Sequence, residues 1–341
     1  MRATLPVHPV DLEPFRLGGV TERLEVARAI DAACRDSGFL LITGHGVPQP
    51  TCDAVLDEFG AFFDLPLEAK ERCVVADPRA NRGYTRLGKE ALGYSRGATT
   101  PPDLFEAFNV GREDTTGAYF DTHRDFYAPN LWPPAPVGLY AAWQAYEGAV
   151  ERVARWLLEA MALALELPPG WFVEQCRNAI VTTRAINYQR AADAPKPEPS
   201  QMRMGAHSDY GVVTILLADD VGGLQVLRDD VWHDITTPRG AFVCNIGDML
   251  ERWTNDRWRS TLHRVVPPPV LADGPVRRRS IARFLDCPPD LIVECIPTCC
   301  SPEAPARYQP VVAGEWLTEK VLGGREQRRP DLPDLEIPPT P

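Results

Sequence analysis

Residues 205–227 read GAHSDYGVVTILLADDVGGLQVL. Two apolar runs inside this stretch, 212–217 and 223–227, are separated by Asp and Gly punctuation, the pattern of strand, turn and strand. Ahead of the first run stands His207-Ser208-Asp209, an H-x-D. Side chains at i and i+2 of an extended chain point to one face, so one strand end can present His207 and Asp209 to a single ion. By itself the tripeptide also fits a surface turn beside a strand, and it needs partners elsewhere in the chain.

Outward from this point the β character continues. Further short apolar runs occupy 180–189, 241–246, 262–266 and 279–286, with Gly, Pro and Asp between them at the spacing of an all-β barrel or sandwich. Towards the N-terminus the pattern is helical. Thr21 is placed to cap a helix carrying Leu24, Ala27, Ile30, Ala33 and Cys34, which Gly38 ends. Phe39–Thr43 reads as a buried strand, 49–64 as a second helix, and Leu139–Leu167 as a long helix closed by Pro168-Pro169-Gly170. Residues 73–135 give no regular pattern. The expected fold is α+β with a mainly β core. Its expected regions are an N-terminal part (1–120), a connecting region with the long helix (121–177), the β domain (178–290) and a C-terminal part with a Pro-rich tail (291–341).

Only six histidines occur in 341 residues. His263 lies in another strand-like run, Thr261–Val266. Two imidazoles and a carboxylate on one face of an octahedral ion leave three positions open, which suits non-haem Fe(II) and oxygen chemistry. Arg278-Arg279-Ser280 then opens the next strand run. Strand parity puts Arg278 and Ser280 on one side, where a guanidinium fork and a hydroxyl can grip a carboxylate. The same RRR run also fits a solvated basic edge.

Lys plus Arg number 36 and Asp plus Glu 47, a formal net charge of −11. That balance argues against a dedicated nucleic-acid binder, which needs a basic face. No apolar run reaches the roughly 18 residues of a membrane span. Asp11, Glu13, Glu22 and Glu25 leave no basic leader ahead of an apolar stretch. The nine cysteines are odd in number and contain no C-x-x-C, so free thiols and a cytoplasmic location are expected. Cys299-Cys300 lacks zinc-ligand spacing. Prolines, 34 in all, cluster at 128–136, 194–199, 267–269 and 330–341 and mark loops and a tail.

Several motifs stand in order along the chain: DSGFLLITGHGVP (36–48), PPDLFEAFNVG (101–111), RAINYQ (184–189), the stretch 205–227, NIGDMLERWTNDRWRSTLHRVV (245–266), RRSIARFLDCPPD (278–290) and YQPVVAGEWL (308–317). In these the chain resembles, almost end to end, the Fe(II)/2-oxoglutarate-dependent dioxygenases of the isopenicillin N synthase-like family. The resemblance implies a double-stranded β-helix, or jelly roll, with an N-terminal helical region and a C-terminal helix. It implies Fe(II) on His207, Asp209 and His263, and the distal carboxylate of 2-oxoglutarate on Arg278 and Ser280. Asn187 would lie near the keto-acid end of the co-substrate, with Tyr188 beside it. The implied reaction consumes O₂ and 2-oxoglutarate, releases succinate and CO₂, and oxidises a small molecule. Hydroxylation is the default; desaturation or ring closure share the same start.

Alternatives within this reading are an Fe(II) oxidase whose Arg278 and Ser280 hold a substrate carboxylate, or a catalytically silent small-molecule binder. Phe284 shares the face of Ser280 and is expected to line the pocket, whereas Arg283 points the other way, into solvent or a partner element. Tyr84, Tyr94, Phe105 and Phe108 in the 82–108 loops, and the C-terminal tail, are candidate lids and lining. His45 in its Gly-His-Gly turn is read as structural, and Asn245 and Asp248 as turn formers. A monomer or weak dimer is expected.

Overall fold

A computed structural model describes residues 7–77, 80–92, 101–188, 201–266 and 277–325. The N-terminal elements are β1 (His8–Asp11), α1 (Glu13–Leu17), α2 (Val20–Asp36), β2 (Phe39–Thr43), α3 (Gln49–Phe63) and α4 (Leu67–Glu71). Next come β3 (Gly83–Thr85), β4 (Glu106–Gly111), α5 (Ala118–Thr122), the long α6 (Leu139–Ala164) and α7 (Trp171–Gln175). The β-rich half holds β5 (Val181–Asn187), β6 (Met204–His207), β7 (Val213–Ala218), β8 (Leu224–Arg228), β9 (Val231–Asp234) and β10 (Phe242–Ile246). It is completed by α8 (Asp248–Trp253), β11 (His263–Val265), β12 (Arg279–Leu285), β13 (Ile292–Val293), β14 (Val311–Val312) and α9 (Ala313–Arg325).

Among the described residues the larger sheet runs β1-β2-β10-β7-β12-β5-β4-β3 and the smaller β6-β11-β8-β9. Together they form the jelly roll. An inner apolar cluster draws Phe39, Ile186, Tyr188 and Val243 from the larger sheet and Met204, Leu224, Val226 and Val265 from the smaller, so it lies between the two. The other face of the larger sheet is covered by helices: Ile215, Leu217, Ala185 and Ile281 share a cluster with apolar residues of α2, α3 and α6. Strand parity therefore sorts every residue of β5, β7 and β12 to the inner cleft or the helical layer.

Each apolar run expected in the C-terminal half is a strand. β6 and β9 are additional, as is β4 in the stretch that showed no regular pattern. β4 is buried along its whole length and pairs with β5, Glu106 opposite Asn187 and Gly111 opposite Thr182. With both faces covered it lacks the alternation that marks a half-buried strand. The N-terminal region thus contributes four strands to the main sheet as well as its helices.

Thr21 does not cap α2. The helix starts one residue earlier, and the Glu22 carboxylate accepts the backbone N–H of Gly19 at 2.9 Å. Gly38 ends the helix at φ +70°, where a Cβ would meet the Arg259 carbonyl oxygen at 1.9 Å. The long helix stops at Ala164, short of Leu167, because Glu166 turns left-handed at φ 60°. Tyr94 and the proline clusters at 194–199, 267–269 and 330–341 lie outside the described residues.

Arg283 faces the helical layer, not solvent, and is buried. Its Nε donates to Glu147 Oε1 on α6 at 2.7 Å, and Thr183 Oγ1 donates to Glu147 Oε2 at 2.7 Å. This carboxylate fastens α6 to the middle of the sheet. Removing it leaves a guanidinium buried without its counter-charge, so Glu147→Ala is expected to lower stability by about 3–5 kcal/mol, read by urea unfolding. Glu147→Gln keeps one acceptor and should lose less.

Candidate active site

β6 and β11 lie side by side in the smaller sheet, with His207 directly opposite His263. The two imidazole centroids are 4.3 Å apart. β6 ends at His207, and Asp209 follows in the turn before β7. Asp209 Oδ1 lies 3.9 Å from His207 Nε2 and 3.7 Å from His263 Nε2. Among the described residues this is the one trio of metal-ligating side chains whose ligand atoms all fall within 4.8 Å of one another, and all three are buried.

The surrounding bonds aim these atoms. His207 Nδ1 is 2.8 Å from the Gly205 carbonyl and His263 Nδ1 is 3.1 Å from the Thr261 carbonyl. A carbonyl only accepts, so each Nδ1 carries a proton, and Nε2 is the nitrogen that faces Asp209. On the carboxylate, Oδ2 accepts Thr214 Oγ1 at 2.5 Å and Asn245 Nδ2 at 2.6 Å, which leaves Oδ1 facing the two imidazoles. Burial alone would raise the Asp209 carboxyl. The two imidazoles, then Thr214 and Asn245, outweigh burial and hold the group below the usual carboxylate range. Two imidazole nitrogens and a carboxylate oxygen converging in this way fit a divalent metal that takes nitrogen and oxygen ligands.

Asn245 is therefore not a turn former; it sits on buried β10 and orients Asp209. Asp248 begins α8, accepts Ser260 Oγ at 2.7 Å, and lies 3.4 Å from Lys320 Nζ on α9. Asp103 was not foreseen. It accepts the backbone N–H of Leu92 at 2.8 Å and of Gly205 at 2.9 Å, and so anchors the residue whose carbonyl orients His207. Burial pushes the Asp103 carboxyl up to about 7. His45 is structural: its Nε2 lies 2.7 Å from the Gly240 carbonyl, Nδ1 accepts Val47 N–H at 3.1 Å, and its ring stacks on Phe242.

The trio opens into a cavity of about 520 Å³ between the sheets. Arg278 and Ser280 line its inner part, both buried. Arg278 Nη1 donates to Ser280 Oγ at 3.2 Å, and its Cζ lies 5.0 Å from the Tyr188 ring centroid. Among the described residues its Nε has no hydrogen-bond partner. A buried guanidinium facing a cavity with a donor to spare matches a carboxylate-bearing ligand. Burial pushes the Tyr188 phenol up despite the nearby Arg278 charge, so its hydroxyl remains protonated at neutral pH. Ile186, Met204, Leu216 and Ala282 supply apolar walls.

Asn187 does not reach this cavity. β5 turns Thr182, Arg184 and Ile186 inward, and Tyr188 beyond it as well, whereas Asn187 is of the opposite parity. Its Nδ2 donates to Glu106 Oε1 at 2.8 Å and its Oδ1 accepts Arg277 Nε at 2.9 Å. Phe284 is among the residues lining the cavity. Tyr84, Phe105 and Phe108 are not. Phe108 pairs with Ala185 on the helical side and packs edge-on against Phe62 at 4.7 Å. Tyr84 donates to Glu106 at 2.6 Å in the same layer. Phe105 is buried in the inner core, 6.1 Å from Tyr188. From the loops it is Arg82, Glu90 and Leu92 that line the cavity, joined by Leu317, Thr318 and Val321 of α9.

Residues 7–135 match the family model described as non-haem dioxygenase in morphine synthesis N-terminal, and 183–286 match 2OG-Fe(II) oxygenase superfamily. The chain is 33% identical to validamycin A dioxygenase of Streptomyces hygroscopicus subsp. limoneus, over 94% of this chain and 86% of the relative. It is also 33% identical to homoarginine-6-hydroxylase 2-ODD-233 of Oryza sativa subsp. japonica, over 88% and 89%. A full-length Neurospora crassa protein, in its crystal structure with alpha-KG and thymine, superposes with a TM-score of 0.82 at 28% identity, over 95% of this chain and 99% of that one.

Proposed function

The chain belongs to the 2OG-Fe(II) oxygenase superfamily and is an Fe(II)- and 2-oxoglutarate-dependent oxygenase of small molecules, and on that premise we propose that it hydroxylates its substrate at a centre built from His207, Asp209 and His263. One observation carries this reading: a single cavity holds both the converging His-Asp-His trio and a buried arginine whose Nε has no partner among the described residues. Bound together, Fe(II), 2-oxoglutarate and O₂ supply the oxidising chemistry, in which the keto acid becomes succinate and CO₂ and a substrate C–H bond is oxidised.

The protein's own groups do the rest. His207 and His263 would hold the metal through Nε2 and Asp209 through Oδ1, each fixed by its second hydrogen bond. Arg278 and Ser280 would receive the distal carboxylate of 2-oxoglutarate, with the Tyr188 ring packed beside the guanidinium. Ile186, Met204, Leu216 and Ala282 would exclude water from the reacting groups, and Phe284, Leu317 and Val321 would bound the substrate. The 2-oxoglutarate-independent oxidase and the silent binder are not favoured. Similar structures hold alpha-KG, and the trio is complete.

The relatives act on different compounds by name, a validamycin and a homoarginine, so membership defines the reaction class and not the substrate. We further propose a monomer or weak dimer working in the cytoplasm, without nucleic-acid or membrane partners; nine unbridged cysteines and the acidic net charge support this. The test is succinate formation. Purified protein with Fe(II), O₂ and 2-oxoglutarate should yield slow uncoupled succinate, rising to about one succinate per product with a true substrate. Full O₂ consumption with a substrate and no keto acid would instead support the oxidase.

A further inference from the structure

Among the described residues the cavity walls carry three arginines; two are held by protein partners and the third is assigned to the co-substrate. Arg278 lies with Ser280 and Tyr188 at the inner end. Arg184 donates to Glu90 at 2.7 Å. Arg82 is enclosed by backbone carbonyls: Nε donates to Ala128 at 3.1 Å, Nη1 to Asn81 at 3.0 Å and Ala80 at 3.4 Å, and Nη2 to Phe126 at 3.3 Å. The acids are not balanced in this way. Asp286 lines the same cavity, and among the described residues no donor or cation pairs with its carboxylate. It follows Ser280, Ala282 and Phe284 in strand parity and so continues the inward face of β12 past its end.

Asp286 is also close to the metal-binding turn. A Cβ on Gly211, two residues after Asp209, would lie 2.1 Å from Asp286 Oδ1, so only a glycine admits the carboxylate here. The backbone N–H of Asp286 is tied to the Ile180 carbonyl at 2.9 Å, which fixes where the side chain emerges. A second acid, Asp125, lies on the exposed mouth of the cavity. A partly buried carboxylate with no counter-charge gains when the occupant of the cavity provides one.

We infer that Asp286 recognises a cationic group of the substrate, an ammonium or guanidinium, and selects organic cations over their neutral isosteres. The inference rests on the proposed function, since it names the substrate class of that cavity. Asp125 would draw the same group towards the mouth, and Phe284 and Leu317 would pack on its aliphatic part.

The experiment is calorimetric binding to the anaerobic protein loaded with Fe(II) and 2-oxoglutarate. The probes are two pairs, arginine with citrulline and lysine with norleucine. At least one cation should bind about ten- to a hundredfold more tightly than its neutral partner. Asp286→Asn should abolish that preference and Asp286→Glu should keep part of it. The wild-type comparison needs no variant, so a misfolded Asp286→Asn leaves the test intact. Absence of any cation preference, or a preference that persists in Asp286→Asn, overturns the inference. Uncoupled succinate, measured on the same wild-type sample, reads the function separately: its absence counts against the oxygenase centre, whereas succinate without cation preference removes the Asp286 assignment alone.

Discussion

Asp209→Ala is expected to abolish succinate formation and to strip the purified protein of iron. The carboxylate faces both imidazoles through Oδ1 and provides the one anionic ligand of the trio. Losing a contact worth about 4 kcal/mol or more in the reacting complex lowers the rate by about a thousandfold. The substitution also leaves Thr214 and Asn245 without their acceptor, a cost of about 1–3 kcal/mol for each buried donor. The fold should survive this, because Asp209 lies in the β6–β7 turn and not in a ladder, and circular dichroism should match wild type. Asn245→Ala is the graded companion. It removes one of the two donors to Oδ2 but leaves all three ligands in place, so metal affinity should fall about ten- to a hundredfold rather than vanish. An Asp209→Ala protein that retained iron and full turnover would show that the metal sits elsewhere.

How much of this site can be read from sequence follows from where strand parity was applied. His207, Asp209 and His263 follow from the H-x-D spacing and one further strand histidine, and Arg278, Ser280 and Phe284 from alternation along β12. The same alternation, carried two residues on, reaches Asp286. Applied to β5 it groups Arg184, Ile186 and Tyr188 and excludes Asn187, a separation that motif resemblance alone does not make. Asn245 was hidden for another reason. An Asn before Gly-Asp reads as a turn signal, and only the pairing of β10 with β7, which sets Asn245 opposite Thr214, brings it to Asp209. The aromatic residues failed as lining because aromatics fill cores as readily as pockets, and Tyr84 and Phe108 lie on the helical face of two strands, β3 and β4, that the sequence did not reveal. The fold was legible wherever a strand read as a short apolar run, as at β5, β7 and β10, and least so at β4, whose buried Glu106 and Asn109 interrupt the run.

Arg278→Leu should raise the KM for 2-oxoglutarate about ten- to a hundredfold, the effect of losing a charge-assisted contact of about 1.5–3 kcal/mol. The guanidinium is buried, faces the cavity, and has Ser280 Oγ at 3.2 Å as a neighbour that can share one carboxylate with it. Leucine fills the volume without the donors, so the cavity should hold its shape against Tyr188 while its charge is lost. Arg278→Lys should recover only part of the affinity, because a single ammonium cannot present two parallel N–H groups to a carboxylate. Ser280→Ala removes one neutral donor and should cost less than either. Iron content should remain near wild type in all three, since neither residue belongs to the trio. That separation distinguishes the pair from the metal ligands: Asp209→Ala should lose iron and turnover together, whereas Arg278→Leu should keep iron and regain much of its rate at high 2-oxoglutarate. If Arg278→Leu left the 2-oxoglutarate KM unchanged but raised the KM of an acidic substrate, the pair would be holding the substrate's own carboxylate, and the co-substrate would have to be held by other groups in the cavity.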